Sequence, residues 1–264
     1  MPTLSVYIMA QNEAGRIRNA LESVKEIADE LIVIDGGSTD TTVAICREYT
    51  EHVVMHPFAG YALQRRFALT QVTGDWILAL DADETLSPEL RVAIPSLLDA
   101  QDADAYDFSR RNYVRPGLWL RYGGFYPDYQ RRLFRRGAAQ YGGVVHAGEV
   151  PVIAGRVRRV DLDILHNQID NNIQYHFSKL MRFVHAEVRE STKTHHGAYY
   201  AIRAIRDPLL VVYKQYLVRR GYLMGIVGIR CAASHALLRF LVNAGLVFKP
   251  RQHAQPSEAE IPRS

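Results

Sequence analysis

The chain has 264 residues, 48% of them hydrophobic and 23% charged, with a net charge of +4. This composition excludes a wholly disordered chain and suffices for one large domain, or a domain with a helical appendage. The two cysteines, Cys46 and Cys231, exclude a disulfide scaffold and a C-x-x-C metal site, and they fit a reducing compartment. The opening "MPTLSVYIMAQNE" is expected to be a first strand rather than a signal peptide. No window of about 18 uncharged apolar residues predicts a simple membrane-spanning helix.

Leu4 to Met9 run apolar, as a buried strand does. Arg16 to Asp29 carry Ile17, Ala20, Leu21, Val24, Ile27 and Ala28 at helical spacing. "LIVID", Leu31 to Asp35, predicts a second strand that the turn "GGS" ends. Asp40 to Tyr49 is expected to be helical, "HVVM" a short third strand, and Gly60 to Val72 a helix. Trp76 to Leu80 follows as a fourth strand, and Ser87 with Pro88 opens another helix as N-cap and first helical residue. Strands alternating with helices over such short connections predict a parallel α/β sheet, whose ligand sits beyond the carboxyl ends of the strands. "QNE", "DGGSTD" and "DADE" follow three of those strands and are expected to face one crevice.

After residue 100 the pattern changes. Asp104 to Val114 and Arg156 to Leu165 predict strands, and Gly117 to Gly143 a loop region over the site. Asn172 to Glu190 shows a helical apolar face, and Tyr199 to Phe248 is apolar, basic and expected to be helical.

Three stretches carry chemistry. In "DWILALDADETLSP", Asp81 and Asp83 are expected on one side of an extended segment. Two such carboxylates repel, and burial raises their pKa unless a cation compensates. A hard divalent ion, Mn2+ or Mg2+, does so while leaving positions for substrate phosphates; a solvated turn or helix-cap cluster is the competing reading. In "VIDGGSTDTT", Asp35 ends a strand, Gly36 and Gly37 allow a tight turn, and Ser38 and Asp40 cap the next helix. That stretch matches neither the dinucleotide nor the P-loop fingerprint, and a capped turn with no ligand stays open. Arg110 to Arg136 hold eight Arg, seven aromatics and one acid, Asp128. This segment reads as a wall contacting a diphosphate and an acidic acceptor, with Arg131 and Arg132 as phosphate contacts. A solvated basic face and nucleic-acid binding are the alternatives, and the nearby carboxylates argue against nucleic acid.

"SVYIMAQNEAGRIRNALESV", "ELIVIDGGSTDTT", "GYALQRRFAL" and "GDWILALDADETLS" together resemble glycosyltransferase family 2, the GT-A fold. Within it they are similar to the bacterial lipopolysaccharide core β-glucosyltransferase-like branch, as are "YPDYQRRLFRRG", "VH" and "ILH" further on. The resemblance spans roughly residues 4 to 190. It implies a Rossmann-like α/β nucleotide-sugar domain with a mostly parallel central sheet over residues 1–190; the residue pattern beyond it predicts a helical basic segment over 191–248, at a membrane surface or an oligomer interface, and a flexible tail over 249–264. The resemblance further implies that Gln11, Asn12 and Glu13 line the nucleotide pocket, and that Asp35 holds the uracil or ribose of a uridine diphosphate sugar. Gln64 and Arg65 would face the donor, and Asp81 and Asp83 would form the D-x-D pair, Asp83 being the direct metal ligand. His166 in "DILHNQ" would add a metal or phosphate contact, against the plainer reading of a strand-end hydrogen bond.

Inverting transfer needs a general base for the acceptor hydroxyl. Relatives often show a His-Glu pair, whereas here "VVHAGEV" separates His146 from Glu149 by two residues, so Glu149 is the first candidate and Asp128 the second. Residues 191–257 hold ten Lys or Arg and one acid, Asp207, which suits an anionic membrane surface; plain helical packing or a homo-oligomer interface is the alternative. The combined expectation is a metal-dependent inverting glycosyltransferase. It would move a sugar from a nucleotide sugar, expected to be UDP-linked, to a glycan or lipid-linked acceptor. Cell-envelope polysaccharide or lipopolysaccharide core synthesis is the expected setting, at the cytoplasmic face of the membrane. A polyprenyl-phosphate glycosyltransferase is the alternative enzyme, and a non-catalytic nucleotide or nucleic-acid binding module the alternative without turnover.

Overall fold

Alternating side chains of β1 (Leu4–Ala10) are buried on both faces of a sheet, which is what a run of seven apolar or small residues requires of a central strand. The computed structural model describes residues 1–141, 151–167, 180–181, 183–185, 187–189, 191 and 195–250. The chain divides into two compact units, Met1–Arg121 with Phe125–Asp170, and Tyr122–Gly124 with Asn171–Ser264.

In the first unit, α1 (Ile17–Val24) buries Ile17, Ala20, Leu21 and Val24 against Leu4, Val6 and Ile8 of β1. On the other face Tyr7 and Met9 pack with Ala68 of α3 (Tyr61–Gln71). The remaining early elements are β2 (Glu30–Asp35), α2 (Thr42–Cys46), β3 (Val53–Met55), β4 (Trp76–Asp81), β5 (Glu84–Leu86) and α4 (Pro88–Asp99). Ser87 caps α4, its Oγ accepting from the Leu90 amide at 3.1 Å, with Pro88 at the first position as the sequence predicts. Helix α2 is shorter than the stretch Asp40 to Tyr49 suggested, because turns flank its five residues on both sides.

The sheet runs β3-β2-β1-β4 and then β8 (Tyr129–Arg135), β6 (Ala105–Arg115), β11 (Val157–Asn167) and β5. The first four strands are parallel, and the crossover from β3 back to β4 makes the boundary between β1 and β4 a topological switch point. The later strands are β6 (Ala105–Arg115), β7 (Leu118–Trp119), β8 (Tyr129–Arg135), β9 (Ala139–Gln140), β10 (Val152–Ile153) and β11 (Val157–Asn167). Strand β8 is antiparallel to both β4 and β6, so β6 and its parallel neighbour β11 run the same way as β4. The expectation of a loop over residues 117–143 is therefore corrected: its "YQRRLFR" is an interior strand. The reason is that the burial of Arg132 is compensated by carboxylates, which a hydropathy reading cannot see.

The second unit is helical where described. Residues 180–189 are helical at each described position, and helices span Gly197–Val212 and Ile226–Phe248. A π-helical turn (Tyr213–Val218) and a 3-10 turn (Gly221–Met224) connect the last two. Val184, Tyr200, Val242 and Leu246 form its small core. Gly221 and Gly228 let the tip close, since a Cβ on Gly228 would collide with the Gly221 carbonyl oxygen.

Candidate active site

The strand register brings the three polar loops to one edge. Ala10 of β1 pairs with Asp35 of β2, and Met9 pairs with Asp81 of β4. The carbonyl groups of Ala10 and Met9 accept from the amides of Gly36 (2.8 Å) and Ala82 (3.1 Å), so the loops leave the sheet side by side.

The first two loops are locked together by neutral hydrogen bonds. The Asn12 amide donates to Ser38 Oγ at 2.9 Å, and the Thr39 amide donates to Asn12 Oδ1 at 2.8 Å. The Glu13 amide donates to Thr42 Oγ1 at 2.8 Å, and Gln11 Nε2 donates to the Gly36 carbonyl at 3.1 Å. Asn12 takes a positive φ of 56°, which Asn tolerates better than most residues. Asp35 is buried and closed on its own turn, accepting from the Gly37 amide (3.0 Å), the Ser38 amide (2.9 Å) and Ser38 Oγ (2.5 Å).

The β4–β5 turn is held by charge instead. The chain turns at Ala82 and Asp83, so Asp81 and Asp83 do not share the face of one strand as expected, and they take different partners. Asp81 Oδ1 meets Arg65 Nη2 at 2.8 Å, and its Oδ2 meets Arg132 Nη2 at 2.6 Å. Glu84 is fully buried, accepts the Asp81 amide at 3.2 Å, and pairs with Arg132 (2.7 Å) and Arg110 (3.1 Å). Arg110 continues the ladder to Asp128 at 2.8 Å. Burial pushes the Asp81 carboxyl up, but the Arg132 and Arg65 guanidiniums outweigh it and hold the group well below the usual carboxylate range.

Three carboxylates, Asp81, Glu84 and Asp128, are thus matched by three guanidiniums, Arg65, Arg132 and Arg110. Asp83 stands outside this balance. Its Oδ2 lies 3.2 Å from Nε2 of the buried His166, at the carboxyl end of β11. The opposite ring atom, Nδ1, lies 2.7 Å from Asn112 Oδ1. Because Asn112 Nδ2 donates to Asp128 Oδ2 at 3.1 Å, Oδ1 is the acceptor and Nδ1 carries a proton. This bond from Nδ1 fixes the ring so that Nε2 faces the Asp83 carboxylate, the way a second partner orients a metal-ligating histidine. Glu13 senses the same excess of negative charge. Its carboxyl is raised, first by burial and, against the offset of Arg16, by Asp83.

The remaining predicted site residues fall as follows. Gln64 is buried, and its amide is spent inside the fold, Oε1 facing His56 Nδ1 (2.8 Å) and Nε2 donating to the His56 carbonyl (3.0 Å). Arg65 is buried beside Asp81, with Nε and Nη1 making no hydrogen bond among the described residues. Arg131 points away from this cluster to Asp107, 2.9 Å from its Nε. Arg132 reaches the cluster because it is the extra residue of a bulge in β8, where Tyr106 opposes Leu133 and Asp107 opposes Arg131. Asp128 accepts from Arg110, Asn112 and Gln130, and although burial raises its carboxyl, Arg110 and those amides lower it overall. His146 and Glu149 lie outside the described residues. Glu84 and Asn112 were given no role by the sequence reading, and Arg110 only a share in the basic wall; the signal was the density of acids and arginines in two separate stretches. Among the described residues no group of three or more His, Cys, Asp and Glu is gathered around one point.

The model of the family "Glycosyl transferase family 2" matches residues 5–165, and the chain belongs to that family. Its class is therefore that of enzymes that transfer glycosyl groups. An uncharacterized glycosyltransferase of Rickettsia bellii is 30% identical over 259 residues, covering 92% of this chain and 85% of its own. The lipopolysaccharide core biosynthesis glycosyltransferase LpsC of Rhizobium meliloti is 35% identical over 161 residues, 56% of this chain and 57% of its own. Among solved structures, glucosyl-3-phosphoglycerate synthase from Mycobacterium tuberculosis, in complex with Mn2+, uridine diphosphate and phosphoglyceric acid, aligns with a TM-score of 0.48 at 20% identity, over 69% of this chain and 75% of that one.

Proposed function

We propose that the chain transfers a sugar, with inversion, from a uridine diphosphate sugar to a glycan or lipid-linked acceptor, with a divalent ion at Asp83 and His166. The observation that carries this reading is the Asp83–His166 pair, which meets no arginine among the described residues, while Asp81, Glu84 and Asp128 each have one. The donor set fits a hard ion such as Mn2+ or Mg2+, which takes one or two protein ligands and fills its remaining positions with water and substrate phosphates. When bound, such an ion supplies positive charge to the departing diphosphate. The chain's own residues do the rest. The interlocked loops of Gln11–Glu13 and Asp35–Thr42 present a rigid wall to the nucleoside. Asn112 fixes the ring orientation of His166, and Arg65 and Arg132 fix Asp81.

In the transfer, the acceptor hydroxyl loses its proton to Glu149 as its oxygen bonds the anomeric carbon and the sugar–phosphate bond breaks. Glycan assembly of the lipopolysaccharide core type is supported by the name of the Rhizobium relative, and the reaction would run at the cytoplasmic face of the membrane. The test is turnover with a panel of nucleotide sugars plus Mn2+. The account expects one donor to be consumed and Asp83→Ala to abolish consumption. Consumption that survives Asp83→Ala would end this reading.

One observation favours a second acceptor class. Asp128 is saturated with donors and lowered in pKa, which makes it a weak base. A polyprenyl phosphate, already an anion, needs no deprotonation. Full turnover by both Glu149→Gln and Asp128→Asn would select it.

A further inference from the structure

The second unit exposes far more apolar surface than a water-facing helical unit needs. Along Gly197–Val212, Ile202, Ile205 and Leu209 follow one another at helical spacing and are 65%, 70% and 66% exposed. They lie opposite the buried Tyr200, Ala204 and Asp207. The same character continues over the tip, where Leu217, Leu223 and Ile226 are 55%, 53% and 69% exposed. Patches of this kind mark interaction sites.

Charge tells what covers it. Lys214, Arg220 and Arg230 are exposed on the same tip, and none forms an ion pair among the described residues. The one acid between residues 197 and 250 is Asp207, which is buried and satisfied by Arg203 (2.7 Å), Arg206 (2.8 Å) and Asn243. A surface with protruding aliphatic side chains, free cations and no free acid is complementary to a bilayer with anionic headgroups. A second copy of this surface would repel it.

The Ile226–Phe248 helix is long and apolar enough to cross a membrane, an 18-residue stretch of it having mean hydropathy 1.5 with 28% of its residues buried. Its polar residues argue for lying on the membrane instead. Asn243 is tied to Asp207, and Arg239 to Glu187, on the side that packs against the neighbouring helices, so crossing would carry an ionic cluster into hydrocarbon.

We infer that the tip from Leu209 to Arg230 is a docking surface for an anionic lipid bilayer, in which Leu209, Leu217, Leu223 and Ile226 insert among the acyl chains while Lys214, Arg220 and Arg230 meet the headgroups. This inference is independent of the transferase reading, and its test does not use turnover. The full chain is mixed with vesicles of phosphatidylcholine alone, or with phosphatidylglycerol added, and binding is read by flotation. Wild type binds the anionic vesicles and is released by high salt, because exposed charges are screened within about 8 Å at physiological ionic strength. Each cation near such a surface is worth roughly fivefold in partitioning, so the triple variant K214Q/R220Q/R230Q loses binding on the order of a hundredfold. The pair L217Q/L223Q loses it as well, and circular dichroism confirms that both variants fold. Equal binding to neutral vesicles, unchanged binding by the cation variant, or retention after carbonate extraction, as an integral protein shows, would overturn the inference. So would a dimer in sedimentation that the L217Q/L223Q pair dissolves.

Discussion

At the end of β2 the Asp35 carboxylate is closed on its own turn, both oxygens satisfied by Gly37 and Ser38. Beyond the end of β4, Asp83 has only the edge of a histidine ring among the described residues, while its neighbours Asp81 and Glu84 are consumed by buried arginines. The two strand ends sit next to β1 at the same edge, yet one is finished and the other is left with charge to spare. The lesson is that a dense run of acids need not be a dense ligand set: most of these acids hold the turn, and one faces outward from that hold.

The sharpest way to break this contrast is to remove the cation that holds the turn. Arg132→Ala leaves Glu84 buried without its nearest countercharge and is expected to cost about 3–5 kcal/mol of unfolding free energy. Arg132→Lys should recover only part, because a single ammonium does not reproduce the forked contact. A loss below about 1 kcal/mol in urea denaturation would mean that the turn does not depend on this pairing.

The corresponding change at β2 is expected to be smaller. Asp35→Ala strips the Gly37 and Ser38 amides of their acceptor, and the expected loss is about 1–3 kcal/mol. A wild-type melting curve for that variant would contradict the closed-turn description.

The acid limb follows in size. Asp81 is lower in the folded chain than in the unfolded one, because Arg132 and Arg65 overcome the upward push of burial. The stability it contributes is therefore present above the ordinary aspartate range, about pH 4, and is lost as pH falls through the folded value. Melting temperature measured against pH should fall less steeply below that range in Asp81→Asn than in wild type. Parallel curves would remove Asp81 as a source of acid sensitivity. The smallest structural effect is expected at Asp83, where Asp83→Asn should shift stability by less than about 1 kcal/mol, because among the described residues its carboxylate meets a histidine ring and no buried arginine.

Much of the first unit was legible in the sequence because its signals are local. Leu4 to Met9, Leu31 to Asp35 and Trp76 to Leu80 are uninterrupted apolar runs, and Ser87–Pro88 announces a helix start; each needs only its neighbours to be read. Strand β8 was missed because its Arg132 is buried by partners 48 and 51 residues away, and no window of sequence contains that compensation. The shared face expected of Asp81 and Asp83 failed for a related reason. The chain turns at Ala82 to pair Glu84 with His166 across β5 and β11, a contact set by topology rather than by alternation. Asn112, which orients His166, carries no motif at all.

The central claim, that Asp83 with His166 holds a divalent ion while Asp81 holds the turn, is tested most directly by Mn2+ titration followed by electron paramagnetic resonance in the presence of uridine diphosphate. Wild type is predicted to sequester Mn2+, and Asp83→Ala, its melting temperature unchanged, to weaken that binding at least tenfold, in the range by which lesser changes around metal ligands act. Wild-type affinity in Asp83→Ala would contradict the account.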